Sequence, residues 1–475
     1  MLAKRQKTDA SAAATAQSAS GSCTSTGTAP HVRLFAATAG HKGRKHTMED
    51  VTVLCDWLDR PDGEVASSLA APAARLALYA ILDGHGGRLS AEWIAEHLPA
   101  MLRSELTHNA PTSANKDSSA NQGSSAETKR AIVRAFTACD AELMTVSAAN
   151  GWHDGCCAIA LIVDTRCFPA RCYVANLGDS RGFVGVREEL GEGVGVEAGI
   201  GVQRDSKAPV VPPEPSLPAA TLAAATPAAA TPAAATPSAA TPAAATPATG
   251  HTVPPMRAVS LSKQDHSVLV SSERRRVEAA GGWIDSGRLC GSLEVSRAFG
   301  DPRLKTRGLI ATPELVSFAV GAAQRFVLLG CDGLWKVFSG EEAVRWLDAR
   351  LPQMDASRAN LAQKLGDARQ VTTSLTTSLT TSLTTPFFSC ATLPVFAPLI
   401  THQSFSRALA ALKKDAREEL IRAREDASET ALLRKLLSEA VNVRNAKDNC
   451  TALLVRFQRP DTCMDSDRPQ ISGAS

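Results

Sequence analysis

Hydrophobic and polar positions fall into blocks along this chain, and each block carries its own period. Leu76-Ala77-Leu78-Tyr79-Ala80-Ile81-Leu82 is an unbroken apolar run closed by Asp83-Gly84, which predicts a buried strand stopping at a turn. From Ser90 to Leu102 the apolar residues Trp93, Ile94, Leu98 and Leu102 recur at helical spacing. Cys172–Leu177 and Gly182–Val186 flank Gly178-Asp179-Ser180-Arg181, a pattern that predicts a hairpin. Phe326–Gly330 reads as a strand running into Asp332-Gly333, and Cys450–Val455 as a last strand. Glu341–Leu351 and Asp415–Val443 read as helices, the second long and amphipathic. Strands in groups and helices in groups predict an α+β protein with layered packing, not alternating βαβ units.

Other stretches lack any such period. Residues 1–30, rich in Ser, Ala, Thr and Gly, are expected to be a disordered tail. A second biased tract begins near Pro209 and becomes a five-residue repeat, Ala-Ala-Ala-Thr-Pro, running to about Thr249; proline at every fifth position forbids a continuous helix, and the tract has no apolar face to bury. A third tract repeats Thr-Thr-Ser-Leu around Thr372–Pro386. A length of 475 residues suggests two or three domains, but the candidate site residues run from Glu49 to Asp448. One domain over 31–458 is therefore expected, interrupted by low-complexity insertions at about 111–127, 190–256 and 368–405 and followed by a flexible tail at 459–475.

Composition narrows the function mainly by exclusion. With 51 basic and 48 acidic residues the net charge is +3, so no bulk field draws nucleic acid or an anionic membrane, and neither is expected as a partner. No run of about 18 apolar residues predicts a membrane span. The basic start Met1–Lys7 leads into Ser, Thr and Ala instead of an apolar core, so a secretory leader is not expected. Lys4-Arg5-Gln6-Lys7 leaves a nuclear address open, and the expected location is cytoplasmic, nuclear or both. Twelve cysteines without a CxxC pair read as reduced thiols, with Cys156-Cys157 packed in the core. A monomer is expected.

The candidate chemistry lies in carboxylates placed at strand ends. Asp-Gly occurs there twice, at Asp83-Gly84 and Asp332-Gly333, and Asp448 immediately precedes the last strand. Hard divalent cations take oxygen ligands from a few converging carboxylates. Two such ions about 3.5–4 Å apart lower the pKa of a shared water to roughly 7 and make a nucleophile for phosphorus. Any one Asp-Gly alone reads more readily as a turn. In chain order, however, the pieces form a series. Met48-Glu49-Asp50 is followed by Asp83-Gly84-His85-Gly86-Gly87, Gly178-Asp179-Ser180-Arg181, Leu293–Asp301, Cys331-Asp332-Gly333-Leu334-Trp335 and Asp448-Asn449.

On that series the chain resembles the metal-dependent protein phosphatases, the protein phosphatase 2C family, over about residues 36–458 apart from the insertions. Trp152-His153-Asp154-Gly155, Leu293-Glu294-Val295-Ser296-Arg297 and Asp332–Phe338 look most like its integrin-linked-kinase-associated branch. The resemblance implies a β-sandwich of two antiparallel sheets flanked by helices, and hydrolysis of phosphoserine and phosphothreonine monoesters in phosphoprotein substrates by a hydroxide bridging two Mg2+ or Mn2+ ions. It further implies that Asp83 bridges both metals, that the Gly84 carbonyl completes one, and that Asp332 and Asp448 hold the other. Glu49 and Asp50 would act through metal-bound waters, and His85 would be the general acid. Asn449 would orient Asp448, with Ser296, Arg297, Gly300 and Asp301 as framework.

Two positions depart from the family pattern. Where the family has a phosphate-binding arginine, this chain has Lys45, with Arg44 before it, so both are candidates for phosphate. Asp179 matches an acid tied to a third metal, but the partner acid is replaced by Lys336, which disfavours a third ion. A thiol phosphatase loop formally fits Cys450 to Arg456, yet that segment reads as a strand without glycine. The alternative of another class is a non-catalytic binding module on the same fold, a pseudophosphatase.

Overall fold

The computed structural model describes residues 32–59, 75–108, 118–187, 203–204, 254–363, 421, 423–424 and 426–458. Two antiparallel sheets stack face to face. One carries β1 (Arg33–His41), β14 (Cys450–Gln458), β13 (Gln324–Gly330), β6 (Arg181–Val186) and β8 (Arg257–Ser260), in that order. The other runs β2 (Val51–Cys55), β3 (Leu76–His85), β4 (Gly155–Asp164), β5 (Arg171–Leu177), β12 (Glu314–Ala319) and β7 (Gln203–Arg204), and β11 (Phe299–Gly300) pairs with β4. Helices among the described residues include α1 (Leu89–His108), α2 (Ser118–Asn150), α3 (Ser271–Ala279), α4 (Pro302–Lys305), α5 (Asp332–Trp335), α6 (Gly340–Asp348) and α7 (Glu429–Ser438).

The unbroken apolar run of β3 follows from its place in these layers, because both of its faces are covered. Tyr79 and Ile81 point to the inter-sheet core with Ile159, Leu161, Val327, Leu329 and Leu453. Leu78, Ala80 and Leu82 point the other way, against Ile94, Leu98 and Leu102 of α1 and Phe136 of α2. On the far side, α6 and α7 bury Leu347, Leu433 and Leu436 against Leu328 and Leu454. The result is helix, sheet, sheet, helix, the expected α+β sandwich.

Four expectations need correction. The strand at 76–82 does not stop before Asp83. It runs on through His85, with Asp83 opposite Cys157 and His85 opposite Gly155, and the chain turns only at Gly86 and Gly87, both at positive φ. Residues 172–186 are not a hairpin, since β5 and β6 lie in different sheets and Gly178-Asp179-Ser180 carries the chain across the sandwich. Gly178 permits this crossing: its φ is +114°, and a Cβ there would sit 2.3 Å from the Cys157 Sγ. The segment taken as an insertion at 111–127 is helical from Ser118 onward. Ser125, Lys129, Ile132 and Phe136 share its buried face, a helical stripe that begins with polar residues and so escapes an apolar pattern. Within 190–256, Gln203–Arg204 adds a short edge pairing to β12 at Val316 and Ser317.

The helix expected over 415–443 is described as α7 followed by a single π turn, Glu439–Val443. Its beginning, the tails, the two repeats and the insertion at 368–405 lie outside the described residues. Cys156 and Cys157 are buried and unoxidised, in the cores beneath α1 and beneath the lobe described next. No helix among the described residues is long and apolar enough to cross a membrane.

Between β8 and β12 the chain leaves the sandwich and builds a small lobe from α3, the two-residue strands β9 (Ile284–Asp285) and β10 (Arg288–Leu289), and α4. Val268, Val277, Leu289, Val295, Ala298 and Leu309 form its core. A buried carboxylate knits it together. Glu273 accepts from Arg297 Nη2 at 2.5 Å, Arg276 Nη2 at 2.6 Å and Ser296 Oγ at 2.7 Å. These contacts account for Ser296 and Arg297, expected as framework. Burial opposes ionisation of Glu273, but the two guanidinium groups outweigh it and hold the carboxyl far below the usual range.

Candidate active site

A cleft of about 710 Å³ opens where the ends of the two sheets meet the lobe, and Lys45, Asp83, His85, Asp179, Asp332, Lys336 and Asp448 all line it. Each sheet supplies part of the set. Asp83 belongs to β3 and Asp50 immediately precedes β2, while Asp332 follows β13 and Asp448 precedes β14. Asp179 sits on the crossing between the sheets. Carboxylate oxygens of Asp83, Asp179 and Asp332 lie within 4.8 Å of one another, and so do ligand atoms of Asp50, Asp83 and Cys331.

Like charges at this spacing resist ionisation. Desolvation, then the charges of Asp50, Asp332, Asp179 and Asp448, push the Asp83 carboxyl well above the carboxylate range. Desolvation and Asp332 raise Asp179 to about 6, and burial raises Asp50 against a hydrogen bond from Thr451 Oγ1 at 2.5 Å. The other Asp50 oxygen, Oδ1, is buried without a hydrogen-bond partner. Crowded carboxylates with an orphaned buried oxygen are what a hard divalent cation satisfies, and the residues fit one. Cys331 does not suit that role. Burial pushes its thiol well up, so it stays protonated, donating to Asn449 O at 3.3 Å and accepting from Thr451 N at 3.0 Å.

Asp448 stands apart from the tight cluster, held by cations. Its Oδ1 accepts from Lys45 Nζ at 2.8 Å, and its Oδ2 lies 3.5 Å from Lys336 Nζ. Burial raises its pKa, but the Lys45 hydrogen bond, the Asn449 N–H and the charges of Lys45 and Lys336 together bring it below the usual value. Lys336 also reaches Asp332 Oδ2 at 2.5 Å, beside the position where Asp179 approaches. Asn449 ties the loops together, accepting from Glu49 N at 2.8 Å and donating to Lys42 O and Thr47 O at 2.9 and 3.0 Å. The Glu49 side chain joins neither carboxylate cluster. Gly84 is paired in β3 opposite Cys156.

The two phosphate candidates diverge. Lys45 faces the cleft, whereas Arg44 donates to the Asn445 side chain and does not line it. His85 has a partner that the sequence did not reveal: its Nε2 lies 2.7 Å from Asp301 Oδ2. Burial lowers the imidazole pKa, and the hydrogen bond and charge of Asp301 more than reverse that, leaving it raised. Asp301 is placed for this by a left-handed backbone at φ 54° and by its N–H donating to Asp154 O at 3.0 Å. A Cβ on Gly155 would meet Asp301 Oδ2 at 2.0 Å and His85 Nε2 at 2.7 Å, so only glycine leaves room for the pair. A separation of 216 residues hid this contact from any local pattern.

Known proteins show the same arrangement of sequence. The family described as "Protein phosphatase 2C" matches residues 6–190 and 256–376. "Probable protein phosphatase 2C 8" of Arabidopsis thaliana is 32% identical over 319 residues, covering 66% of this chain and 68% of that protein. "Probable protein phosphatase 2C 67" of Oryza sativa subsp. japonica is 30% identical over 326 residues, covering 68% and 67% respectively. "Integrin-linked kinase-associated serine/threonine phosphatase 2C" of Bos taurus is 25% identical over 315 residues, covering 65% and 62%. The higher identity of the plant proteins leaves the branch expected from the motifs only weakly supported.

Proposed function

The chain belongs to the protein phosphatase 2C family and is a metal-dependent protein serine/threonine phosphatase; we propose that its cations are Mg2+ or Mn2+, held by Asp83, Asp332, Asp448 and Asp50 with the Gly84 carbonyl. The observation that carries this assignment is the convergence of Asp83, Asp179 and Asp332 oxygens beside the unpartnered Asp50 Oδ1. When bound, such ions acidify water and neutralise charge on a phosphoryl group. Glu49, outside the tight cluster, is left a role through solvent.

The remaining work falls to the chain's own side chains. Lys45 offers phosphate a compact point charge from the cleft wall; Arg44, turned toward Asn445, does not. The Asp301 carboxylate takes the Nε2–H of His85, which fixes the ring and leaves Nδ1 to carry a proton to the departing serine or threonine oxygen. Asp301 is thus a positioning residue acting through His85. Lys336, bonded to Asp332, supplies a fixed positive charge next to Asp179, and this reading has two ions without a third. No observation favours the non-catalytic alternative.

Hydrolysis of a phosphothreonine peptide by the purified chain with added Mn2+ or Mg2+ tests the assignment. Release of phosphate that stops on complete chelation and returns with either ion is expected. Turnover that survives chelation would overturn it.

A further inference from the structure

The lobe wall of the cleft carries positive charge that the protein does not neutralise. Arg288 is answered by Glu294, but among the described residues no carboxylate pairs with Arg303 or Arg307, which line the same cleft. Arg303 Nη2 rests 3.2 Å from His153 Nε2. The Arg307 guanidinium lies 5.7 Å from the ring centroid of Trp283, an indole left 53% exposed on the same wall. Arg303 follows by two residues the Asp301 that touches His85, and both arginines line the same cleft as His85 and Asp83. A phosphopeptide extended across the cleft advances about 3.3 Å per residue, which brings the side chains next to its phosphoresidue onto that wall.

We propose that Arg303 and Arg307 form a subsite for acidic side chains flanking the phosphoserine or phosphothreonine, with Trp283 as its apolar floor. The preferred substrates are then phosphopeptides rich in Asp or Glu beside the phosphate. The proposal rests on the phosphatase reading and names the substrate class of that site. An exposed charge pair of this kind contributes modestly, so the preference is about 3- to 5-fold in KM per arginine and weakens as salt rises.

The test compares phosphothreonine peptides that differ only in flanking Asp, Ala or Lys, with p-nitrophenyl phosphate as a substrate lacking flanks. The wild-type chain is expected to favour the Asp peptide over the Ala peptide through KM, with the ratio falling at high salt. Arg303→Gln with Arg307→Gln should bring that ratio close to one while p-nitrophenyl phosphate is still hydrolysed, and Arg303→Glu with Arg307→Glu should move the preference to the Lys peptide. Equal use of Asp and Ala peptides by the wild-type chain, or a preference that both double variants retain, would overturn the subsite. A wild-type chain that releases no phosphate from any of these substrates with added Mn2+ or Mg2+ would instead overturn the phosphatase reading. Should a double variant fail to fold, the single variants and the wild-type salt series decide the question.

Discussion

Single side chains divide here between those whose role follows from what they are and those whose role follows from what they meet. Asp83, Asp332 and Asp448 are acids at strand ends, and their positions could be read from apolar runs beside them. Asp83→Ala should therefore remove essentially all turnover while circular dichroism keeps its native form; an unchanged rate would contradict its central place. Lys45 and Arg44, adjacent and both cationic, could not be separated by sequence. Only the turn that sends Arg44 to Asn445 separates them. Lys45→Ala should raise KM about tenfold, since one charged contact to phosphate is lost, and Arg44→Ala should leave it nearly unchanged. Asp301 was legible only as framework, because its partner lies on a distant strand. Asp301→Asn and His85→Gln should each slow phosphothreonine hydrolysis about 100-fold. Both should spare p-nitrophenyl phosphate, whose leaving oxygen needs no proton. An equal loss on both substrates would mean that the pair only holds the fold.

At the level of elements, the outcome of each reading depended on how far it reached. The period of β3 and of α1 gave their existence correctly, because both lie in one continuous core. The supposed hairpin failed because Gly178 marks a crossing as readily as a tight turn, and local chemistry does not say which sheet the next strand will join. Gly178→Ala, forced to φ +114° against Cys157, should destabilise the chain by at least about 1 kcal/mol, seen as a lower Tm. The lobe depends on one carboxylate. Glu273→Gln would leave two guanidinium groups poorly answered and should cost about 3 kcal/mol or more in denaturant unfolding. The folded Glu273 binds its proton only far below the ordinary 4.5, so its contribution is complete above that value and fades as pH falls beneath it. Acid unfolding below about pH 4.5 should consequently be blunted in Glu273→Gln. His266 adds to this acid sensitivity. It is buried, accepts Gly178 N–H on Nδ1 at 3.0 Å, and has a lowered pKa, so an unfolded chain gains protons there first.

Across the whole molecule, the layered fold and its metal-dependent chemistry were legible, while the boundaries of its insertions were less so. Polar residues such as Ser125 and Lys129 are buried on α2, so composition alone placed that helix's start inside an insertion. The long Ala-Ala-Ala-Thr-Pro tract stands in the chain between β7 and β8, outside the described residues. Deleting residues 209–250 should leave p-nitrophenyl phosphate hydrolysis within about twofold of the full chain; a collapse of activity would give the tract a structural part. The division of ligands between the sheets has a consequence for stability. Asp83 and Asp50 come from one sheet and Asp332 and Asp448 from the other, so neither half alone presents a complete set. Bound cations would therefore act as a clamp across the sandwich, favouring the native over the unfolded chain in proportion to their free concentration. At a hundredfold excess over Kd that linkage is worth about 2.7 kcal/mol. Melting temperature should climb with added Mn2+ even for a chain whose catalytic His85 has been replaced, which makes thermal denaturation an assay of metal occupancy that is independent of turnover.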